Sequence, residues 1–453
     1  MAETKDNRFL FEEMPVPEAL TRLAVPTVIG QLILLFYNLA DTFFIGRTGN
    51  PYMIAAASLI LPLYSICIAI ANLFGVGGGS LISRLMGQKR GEEAARVCSF
   101  SFYGAIITAL AFSAAVYLSM RPLLYFLGAS GKTYEFAREY TLYTTVIGAV
   151  PAVLTIAMAN LFRSVGLARK AAIGSSTGCL LNVALDPLFM FVILPKGMEI
   201  QGAAAATMLS NVVSMLYFIF QLAKLKGTTV LSVNIKECLP GKDSVAAVFA
   251  VGIPSALTMF LYEATNIVID KLASTHGDIP VAAIGIVLKA ERIPLNIGVG
   301  ICQAMMPLVA YNYTSGNHVR MRSVMKTART AGIVISIACI VMYELLAGGI
   351  MRIFINDPQT VALGIHYMRA RCLASVVMFM CFNYVFFFEA VGKGSISFTL
   401  AVIRQLVFNI PILLLMNSVS GMNGIIWTQF IADGCTALVS FIIYRKTAAN
   451  IIK

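Results

Sequence analysis

Polar and acidic residues interrupt the long apolar segments of this sequence, and these residues are the ones able to do chemistry. The first apolar segment, residues 23–46, is long enough to cross a bilayer core of about 30 Å, yet it contains Gln31, Asn38 and Asp41. A carboxylate inside a membrane span costs about 3 kcal/mol or more unless it has a partner or a function. We therefore expect Asp41 to bind a proton or a cation along a transport route.

Three further polar residues fall at a depth similar to that of Asp41. Asn182 and Asp186 are four positions apart, so they share one face of a helix, and Thr207 lies in the next apolar segment. Two carboxylates that are close together in a low dielectric do not ionise together easily, so one of them can hold a proton. The same oxygens suit Na⁺, a hard cation. The alternative is static hydrogen bonding that only fixes helix packing.

Charged residues also occur inside segments of the second half of the sequence. Glu263 lies near the middle of one segment, Lys289, Glu291 and Arg292 lie in the next, and Arg404 lies near the end of the chain. Glu263 either attracts cationic substrates or pairs with Lys289 or Arg404. These two interpretations remain open at this point.

Candidate substrate-binding residues are those that combine an aromatic or amide side chain with a polar neighbour. The set comprises Gln31, Tyr37, Asn38, Tyr262, Glu263 and Asn266. Pro26 is a candidate hinge, because a proline within a span removes a backbone hydrogen bond and permits a bend. Its place near the start of the apolar segment also fits an ordinary first-turn proline.

The elements that must position these residues are membrane spans. The 453 residues are 58% hydrophobic and 12% charged, whereas a soluble domain has about 25% charged residues. The sequence therefore predicts an all-α polytopic membrane protein. Twelve apolar segments are expected, at residues 23–46, 52–80, 98–120, 140–162, 171–194, 201–223, 245–272, 280–311, 330–351, 365–391, 397–418 and 422–444.

The basic charges follow the topology expected for a membrane protein. Of the 34 Lys and Arg residues, 22 fall on the side of the N-terminus and nine on the opposite side, so the positive-inside rule places both termini in the cytoplasm. The net charge of +12 is thus topological, and we expect no nucleic-acid partner. Nine cysteines without a CxxC pair predict no disulfide framework. We expect no signal peptide either, because residues 1–21 are polar.

An internal repeat divides the chain. The shift that places Pro26 on Pro254 also places Asn38 on Asn266, and a nearly equal shift places FRSVG over FEAVG. Each half then has six spans of the same orientation, which is a transporter architecture. The first shift also places Asp41 on Ile269, so cation coupling is expected in the first half. The predicted boundaries are 1–20 (cytoplasmic segment), 21–223 (N-lobe), 224–243 (cytoplasmic linker), 244–446 (C-lobe) and 447–453 (cytoplasmic tail).

Several motifs in order resemble the multidrug and toxic compound extrusion (MATE) family, in its MepA-like and DinF-like bacterial branches. They are NLFGVGGGSLISRLMGQKRG, LNVALDPLFMF, QGAAAAT, the doubled FR/FE-x-VG, PLVAYNYTSGN and GIIWTQFIADG, and the resemblance covers residues 12–446. It implies the MATE/MOP-type fold of two pseudo-symmetric six-helix lobes around a cleft. It also implies export of drug-like organic compounds across a bacterial plasma membrane, driven by H⁺ or Na⁺ and with no other cofactor.

The resemblance also carries site residues. DinF-like members use an aspartate in span one with an Asn-x-x-x-Asp pair and a threonine, and these match Asp41, Asn182, Asp186 and Thr207. NorM-like members use a glutamate in span seven with an aspartate in span ten. Glu263 falls near that glutamate, but span ten has only Glu389, at its inner end, so this second site departs from the pattern.

Other functions fit less well. A membrane enzyme needs a metal cluster or an activated nucleophile, but the three histidines lie in loops or at span ends, at positions 276, 318 and 366. A channel or receptor does not explain the repeat. A lipid-linked oligosaccharide flippase of the same superfamily stays as the alternative, because Lys289, Arg292 and Arg404 could line a cavity. We expect a monomer, with the bilayer and small molecules as its partners and no resident metal.

Overall fold

The computed structural model describes residues 8–451, without the side chains of 237 and 448–451. The outermost parts of the predicted cytoplasmic segment and tail, residues 1–7 and 452–453, lie outside the described residues. The N-lobe contains α1 (Val16–Arg47), α2 (Pro51–Gly87), α3 (Gly91–Leu118), α4 (Met120–Phe126), α5 (Tyr134–Thr141), α6 (Ala149–Ser164), α7 (Ala168–Leu188) and α8 (Glu199–Lys224). Its π-helical turns are Phe9–Glu13, Leu142–Ile147 and Phe189–Ile193.

The C-lobe repeats this order of helices. It contains α9 (Lys242–Ala273), α10 (Asp278–Thr314), α11 (His318–Phe354), α12 (Pro358–Cys372), α13 (Ser375–Ala390), α14 (Gly394–Val402) and α15 (Ile410–Ile451), with a π-helical segment at Ile403–Asn409. Short 3-10 turns lie at Ile235–Glu237 and Ser274–His276. Proline at the first position and a polar cap start two of these helices. The side chain of Asn50 accepts a hydrogen bond from the Tyr52 amide, and that of Asp357 accepts one from the Thr360 amide.

Nine helices of the described chain are long and apolar enough to span a membrane, or eleven when two bent pairs each count as one span. The bent pairs are α5–α6, at 50°, and α12–α13, at 43°. The last of the nine, Gly394–Thr447, has 54 residues, which is about 80 Å of helix and too long for one crossing.

A reversal of the chain divides this last segment. Gly421 has a backbone conformation (φ 57°, ψ −135°) that no helix contains. Contacts pair residues on either side of it, since Arg404 meets Asp433 and Asn409 meets Gln429. The segment is therefore two antiparallel spans joined near Gly421, which brings the spans to the twelve that the sequence predicts.

The position of Pro26 corrects one interpretation from the sequence. α1 begins at Val16, with Pro17 in its first turn, so Pro26 lies well inside the helix. The first-turn interpretation is wrong because the helix starts well before the apolar segment does. Pro254 holds the equivalent place inside α9.

The two lobes meet backbone to backbone. A Cβ at Gly252 of α9 would collide with the carbonyl of Leu73 in α2, and one at Gly77 would collide with the carbonyl of Val248. A single buried cluster runs through both lobes around this contact. Glycine is thus required here because the two helices approach too closely for any side chain.

Hydrogen bonds between the lobes lie from the middle of the molecule to the end that carries the linker 224–243, which we call the linker end. Gln31 Nε2 donates to Gln303 Oε1 at 2.9 Å near the middle. Thr314 Oγ1 donates to the Arg84 carbonyl at 2.6 Å at the linker end itself. Among the described residues, no recorded hydrogen bond joins the lobes at the opposite end.

The N-terminal turn Phe9–Glu13 reinforces the linker end. Phe11 is fully buried and stacks on Tyr311 with ring centroids 4.8 Å apart. Tyr311 Oη donates to Glu12 Oε1 at 2.7 Å, and Arg320 donates to the carbonyls of Phe11 (2.8 Å) and Met14 (2.6 Å). Residues 9–14, ahead of the first span, are therefore fixed to the C-lobe.

Candidate functional site

Three of the predicted cation-site residues form one hydrogen-bonded group inside the N-lobe. Asn182 and Asp186 lie one turn apart on α7 and Thr207 faces them from α8, and all three are buried. With its amide oriented to satisfy its neighbours, Asn182 donates to Asp186 Oδ2 at 2.8 Å and accepts from the amide and hydroxyl of Thr207 at 3.0 and 3.2 Å. The group is therefore rigid and consists of oxygen and amide ligands.

Local sequence explains why α7 and α8 approach closely enough to form this group. A Cβ at Gly178 would collide with the hydroxyl of Ser214, so the helices touch one turn away from Asn182. After Pro187 the α7 helix loosens into the π-helical turn Phe189–Ile193. Turns of this kind are frequent at functional sites, and this one begins three residues after Asp186.

Asp41 completes the group from α1. Its side chain is partly buried, and Oδ1 is shielded from solvent without a hydrogen-bond partner. The Asp41 carboxyl interacts electrostatically with that of Asp186. Among the described residues, neither acid forms an ion pair with a Lys or Arg. The structure thus joins Asn182, Asp186 and Thr207 by hydrogen bonds and places Asp41 within electrostatic range of Asp186.

Three tyrosines lie around this acid pair, and the sequence did not indicate that they form a group. Tyr37, Tyr64 and Tyr140 interact electrostatically with Asp41, and Tyr37 also lies next to Thr207. Their positions on three different helices gave no spacing signal, and an aromatic residue in an apolar segment usually indicates only a packed core. The tyrosine hydroxyls add polar ligands without adding positive charge.

The arrangement can hold a proton or a small hard cation. A proton on one carboxyl removes the repulsion between the two acids and supplies a donor for the unpaired oxygen. Na⁺ would instead take oxygens from Asp41, Asp186, Asn182 and Thr207. No group of three or more His, Cys, Asp or Glu side chains with metal-binding geometry occurs in the described part of the chain.

The acids of the C-lobe are arranged differently, because two of them are neutralised by arginines. Arg404 donates to both carboxylate oxygens of Asp433, at 2.7 and 3.0 Å, and Arg371 pairs with Glu291 at 2.8 Å. Asp433 is fully buried and also accepts from Gln429 at 2.6 Å. Arg371 is only 3% exposed.

These contacts correct the interpretation of Glu263. Its predicted partner Arg404 instead forms an ion pair with Asp433. Asp433 lies on the second of the two antiparallel spans that are joined near Gly421. Glu263 and Lys289 are both exposed, and no ion pair between them occurs within the described residues. The proposed pairing of Glu263 with Arg404 is therefore wrong.

A cavity of about 90 Å³ lies between the lobes toward the linker end. Of the predicted substrate-binding residues, Gln31 reaches it indirectly, because its hydrogen-bond partner Gln303 is part of the wall. The wall does not include Tyr37, which lies beside Asp41. It also does not include the four remaining candidates, Asn38, Tyr262, Glu263 and Asn266.

Comparisons with known proteins agree with this architecture. The family model described as MatE matches residues 26–188 and again 254–415. The two matches begin at Pro26 and Pro254, the two prolines that the internal repeat places on each other. The chain is 31% identical to the multidrug export protein MepA of Staphylococcus haemolyticus over 437 residues, covering 96% of this chain and 95% of that protein. It is likewise 31% identical to the MepA protein of Staphylococcus aureus over 435 residues, with the same coverage.

Solved structures share the fold. One is described as the outward-facing conformation of a multidrug resistance MATE family transporter of the MOP superfamily. It superposes with a TM-score of 0.91 at 24% identity, covering 100% of this chain and 99% of that one. Another is a MOP superfamily transporter from Pyrococcus furiosus, whose description reports a reversed polarity of its binding pocket. It gives a TM-score of 0.90 at 25% identity, with both chains covered completely.

Proposed function

The chain belongs to the MatE family, whose members are ion-coupled antiporters, and on that premise we propose that it exports drug-like organic cations in exchange for H⁺ or Na⁺. It is a multi-pass membrane transporter and not an enzyme. The relatives of 31% identity are multidrug export proteins, and this likeness supports a drug-like substrate.

One observation carries the proposal. Asp41 has a buried carboxylate oxygen without a partner, beside a second acid that likewise lacks an arginine or lysine among the described residues. The equivalent position in the C-lobe is Ile269, and the acids Asp433 and Glu291 there are ion-paired. An uncompensated acid is costly in a membrane, so a transported cation is the natural partner that it exchanges.

The exchange follows from electrostatics. When the acid pair holds a proton or Na⁺, its net charge is reduced and the N-lobe no longer attracts an organic cation. Release of the coupling ion restores the negative charge and with it the affinity for substrate. Asn182 and Thr207 keep Asp186 in place, so Asp41 on α1 is the acid that is free to change its contacts. Pro26 lies on the same helix and lacks a backbone N–H, so one helical hydrogen bond is missing there. This allows α1 to bend when Asp41 changes its contacts.

We also propose that both termini face the cytoplasm. The excess of Lys and Arg on the linker side supports this orientation.

In everted vesicles, such a protein should exchange ethidium for H⁺ or for Na⁺. Asp41→Asn should abolish the exchange, while Asp278→Asn, an exposed acid at the start of α10, should leave it unchanged. Normal transport by the Asp41 variant would refute the coupling site.

The flippase alternative loses part of its support. It relied on three cationic residues lining a cavity, but Arg404 is neutralised by Asp433, and neither Lys289 nor Arg292 is part of the cavity wall. Arg163, a cationic residue of the cavity wall, is the remaining feature of the described residues that favours it.

A further inference from the structure

The cavity near the linker end contains two opposite charges at equivalent positions of the repeat. Arg163 and Glu389 are each second in their motif, FRSVG in the N-lobe and FEAVG in the C-lobe, and the repeat places one motif on the other. Arg163 lies near the end of α6 and Glu389 near the end of α13, and both are part of the cavity wall. The pseudo-symmetry of the fold thus places a basic side chain of one lobe and an acidic side chain of the other in the wall of one cavity.

Neither side chain has an ion-pair partner among the described residues. Glu389 is only 3% exposed, and its carboxyl has Ser255 and Ser397 as hydrogen-bond partners, the latter with Oγ at 3.4 Å. Arg163 donates to Asn160 Oδ1 at 2.7 Å. Within residues 8–451 no ion pair is recorded for either side chain, in contrast to Arg404 and Arg371 of the C-lobe. Two largely buried ionisable groups without counter-ions are costly to charge, so a ligand that supplies a counter-charge to each is favoured.

The backbone holds both charges in place through α2. Ser80 Oγ donates to the Glu389 carbonyl at 2.6 Å, and Ser83 Oγ donates to the Ser164 carbonyl at 2.7 Å. One face of α2 therefore fixes the helix ends that carry Arg163 and Glu389. The separation of the two charges is set by the fold and not by flexible loops.

The rest of the wall suits an amphipathic body between two charged ends. Met259, Met306 and Phe386 supply soft and aromatic surface, and Thr258 and Gln303 supply neutral hydrogen-bonding groups. We propose that this cavity is a subsite for amphipathic zwitterions, with the ligand's cationic group toward Glu389 and its carboxylate toward Arg163. The subsite lies at the opposite end of the lobes from the Asp41 group, and it deepens the proposed drug export, on which it rests.

A matched pair of dyes tests the subsite. Rhodamine 110 carries a cationic ring system and a free carboxylate, and rhodamine 123 is its methyl ester, which keeps the cation and lacks the carboxylate. Binding of each dye to the purified full-length protein in detergent is measured by fluorescence anisotropy, without any ion gradient. Wild-type protein is expected to bind the zwitterion more tightly than the ester.

Variants that remove one charge at a time then test which group of the ligand each residue binds. Arg163→Gln should weaken rhodamine 110 binding at least tenfold and change rhodamine 123 binding less than threefold, because only the zwitterion uses the guanidinium. Arg163→Lys should retain most of the preference. Glu389→Gln should weaken both dyes, since both are cationic. Arg169→Gln and Glu92→Gln, exposed at the same end, serve as controls and should change neither.

Several results would overturn the subsite. If Arg163→Gln weakens both dyes equally, the arginine supports the fold or a conformational change and not recognition of a carboxylate. If it weakens neither, or if wild-type protein binds neither dye, the cavity is not a zwitterion site. Asp41→Asn separates the two proposals, because it should abolish coupled ethidium exchange while leaving the preference for rhodamine 110 over rhodamine 123 intact. Loss of the dye preference with normal Asp41-dependent exchange refutes only the subsite.

Discussion

The ion pair of Arg404 and Asp433 gives the sharpest test of the claim that the ion-paired acids of the C-lobe are structural. Asp433→Ala would remove three hydrogen bonds, two from Arg404 and one from Gln429, and would leave Arg404 buried at 5% exposure without a counter-ion. Removing one partner of a buried pair costs about 3–5 kcal/mol. The double variant Arg404→Met with Asp433→Leu removes both charges and should recover most of that loss.

An exposed ion pair provides the matched control. Arg369 and Glu344 lie 3.3 Å apart with 52% and 42% of their side chains exposed, so Glu344→Ala should cost less than about 1 kcal/mol. Thermal unfolding in detergent can be followed with a thiol-reactive dye, because six of the nine cysteines are buried and react only on unfolding. Cys381 reports locally, since its Sγ lies 3.4 Å from the Asp433 carbonyl.

The results of this experiment distinguish a structural role of Asp433 from a role in ion coupling. If Asp433→Ala and Glu344→Ala lower the unfolding midpoint equally, the argument from burial is wrong. If the apolar double variant is stable and still exports ethidium, Asp433 is structural as argued. If it is stable but no longer couples export to an ion gradient, the C-lobe contributes to coupling and the assignment to the N-lobe alone fails.

Two further predictions concern the contact between the lobes and the N-terminal turn. Gly252→Ala should destabilise the protein by about 1–3 kcal/mol, because its Cβ collides with the Leu73 carbonyl, whereas Gly434→Ala meets open space and should be neutral in the same unfolding assay. Partial burial raises the pKa of Glu12, but hydrogen bonds with Arg8 and Tyr311 outweigh burial and hold it below its usual 4.5. A lowered pKa means that this contact contributes fully above pH 4.5 and is lost as the pH falls through the folded-state value. Limited proteolysis of the N-terminal turn should therefore be constant around neutral pH and accelerate in acid, and Glu12→Gln should remove that pH dependence.

Much of the fold follows from the sequence because apolar segments and the repeat are local, countable patterns. The shift that places Pro26 on Pro254 predicts two equivalent halves, and the two matches of the family model begin at these same two positions. Helix starts are less predictable. α1 continues through polar residues before the apolar segment, so Pro26 lies deeper in the helix than its place in the segment indicates.

The candidate site was predictable where its residues share one helix face, and less so where it depends on contacts between helices. The spacing of Asn182 and Asp186 indicates a common face, and the structure adds Thr207 and Asp41 as expected. Partners of the arginines could not be read from spacing. Arg404 pairs with Asp433 on the adjacent antiparallel span, and Arg371 pairs with Glu291 on a helix much earlier in the chain.

The most direct measurement of the central claim uses purified protein in liposomes, with a pH gradient and a Na⁺ gradient imposed separately. Wild-type protein should drive ethidium transport with one of the two gradients. Asp41→Asn should lose that response while keeping the wild-type unfolding midpoint, and Asp278→Asn should retain the response. Gradient-driven transport at the wild-type rate by the Asp41 variant would contradict cation coupling in the N-lobe.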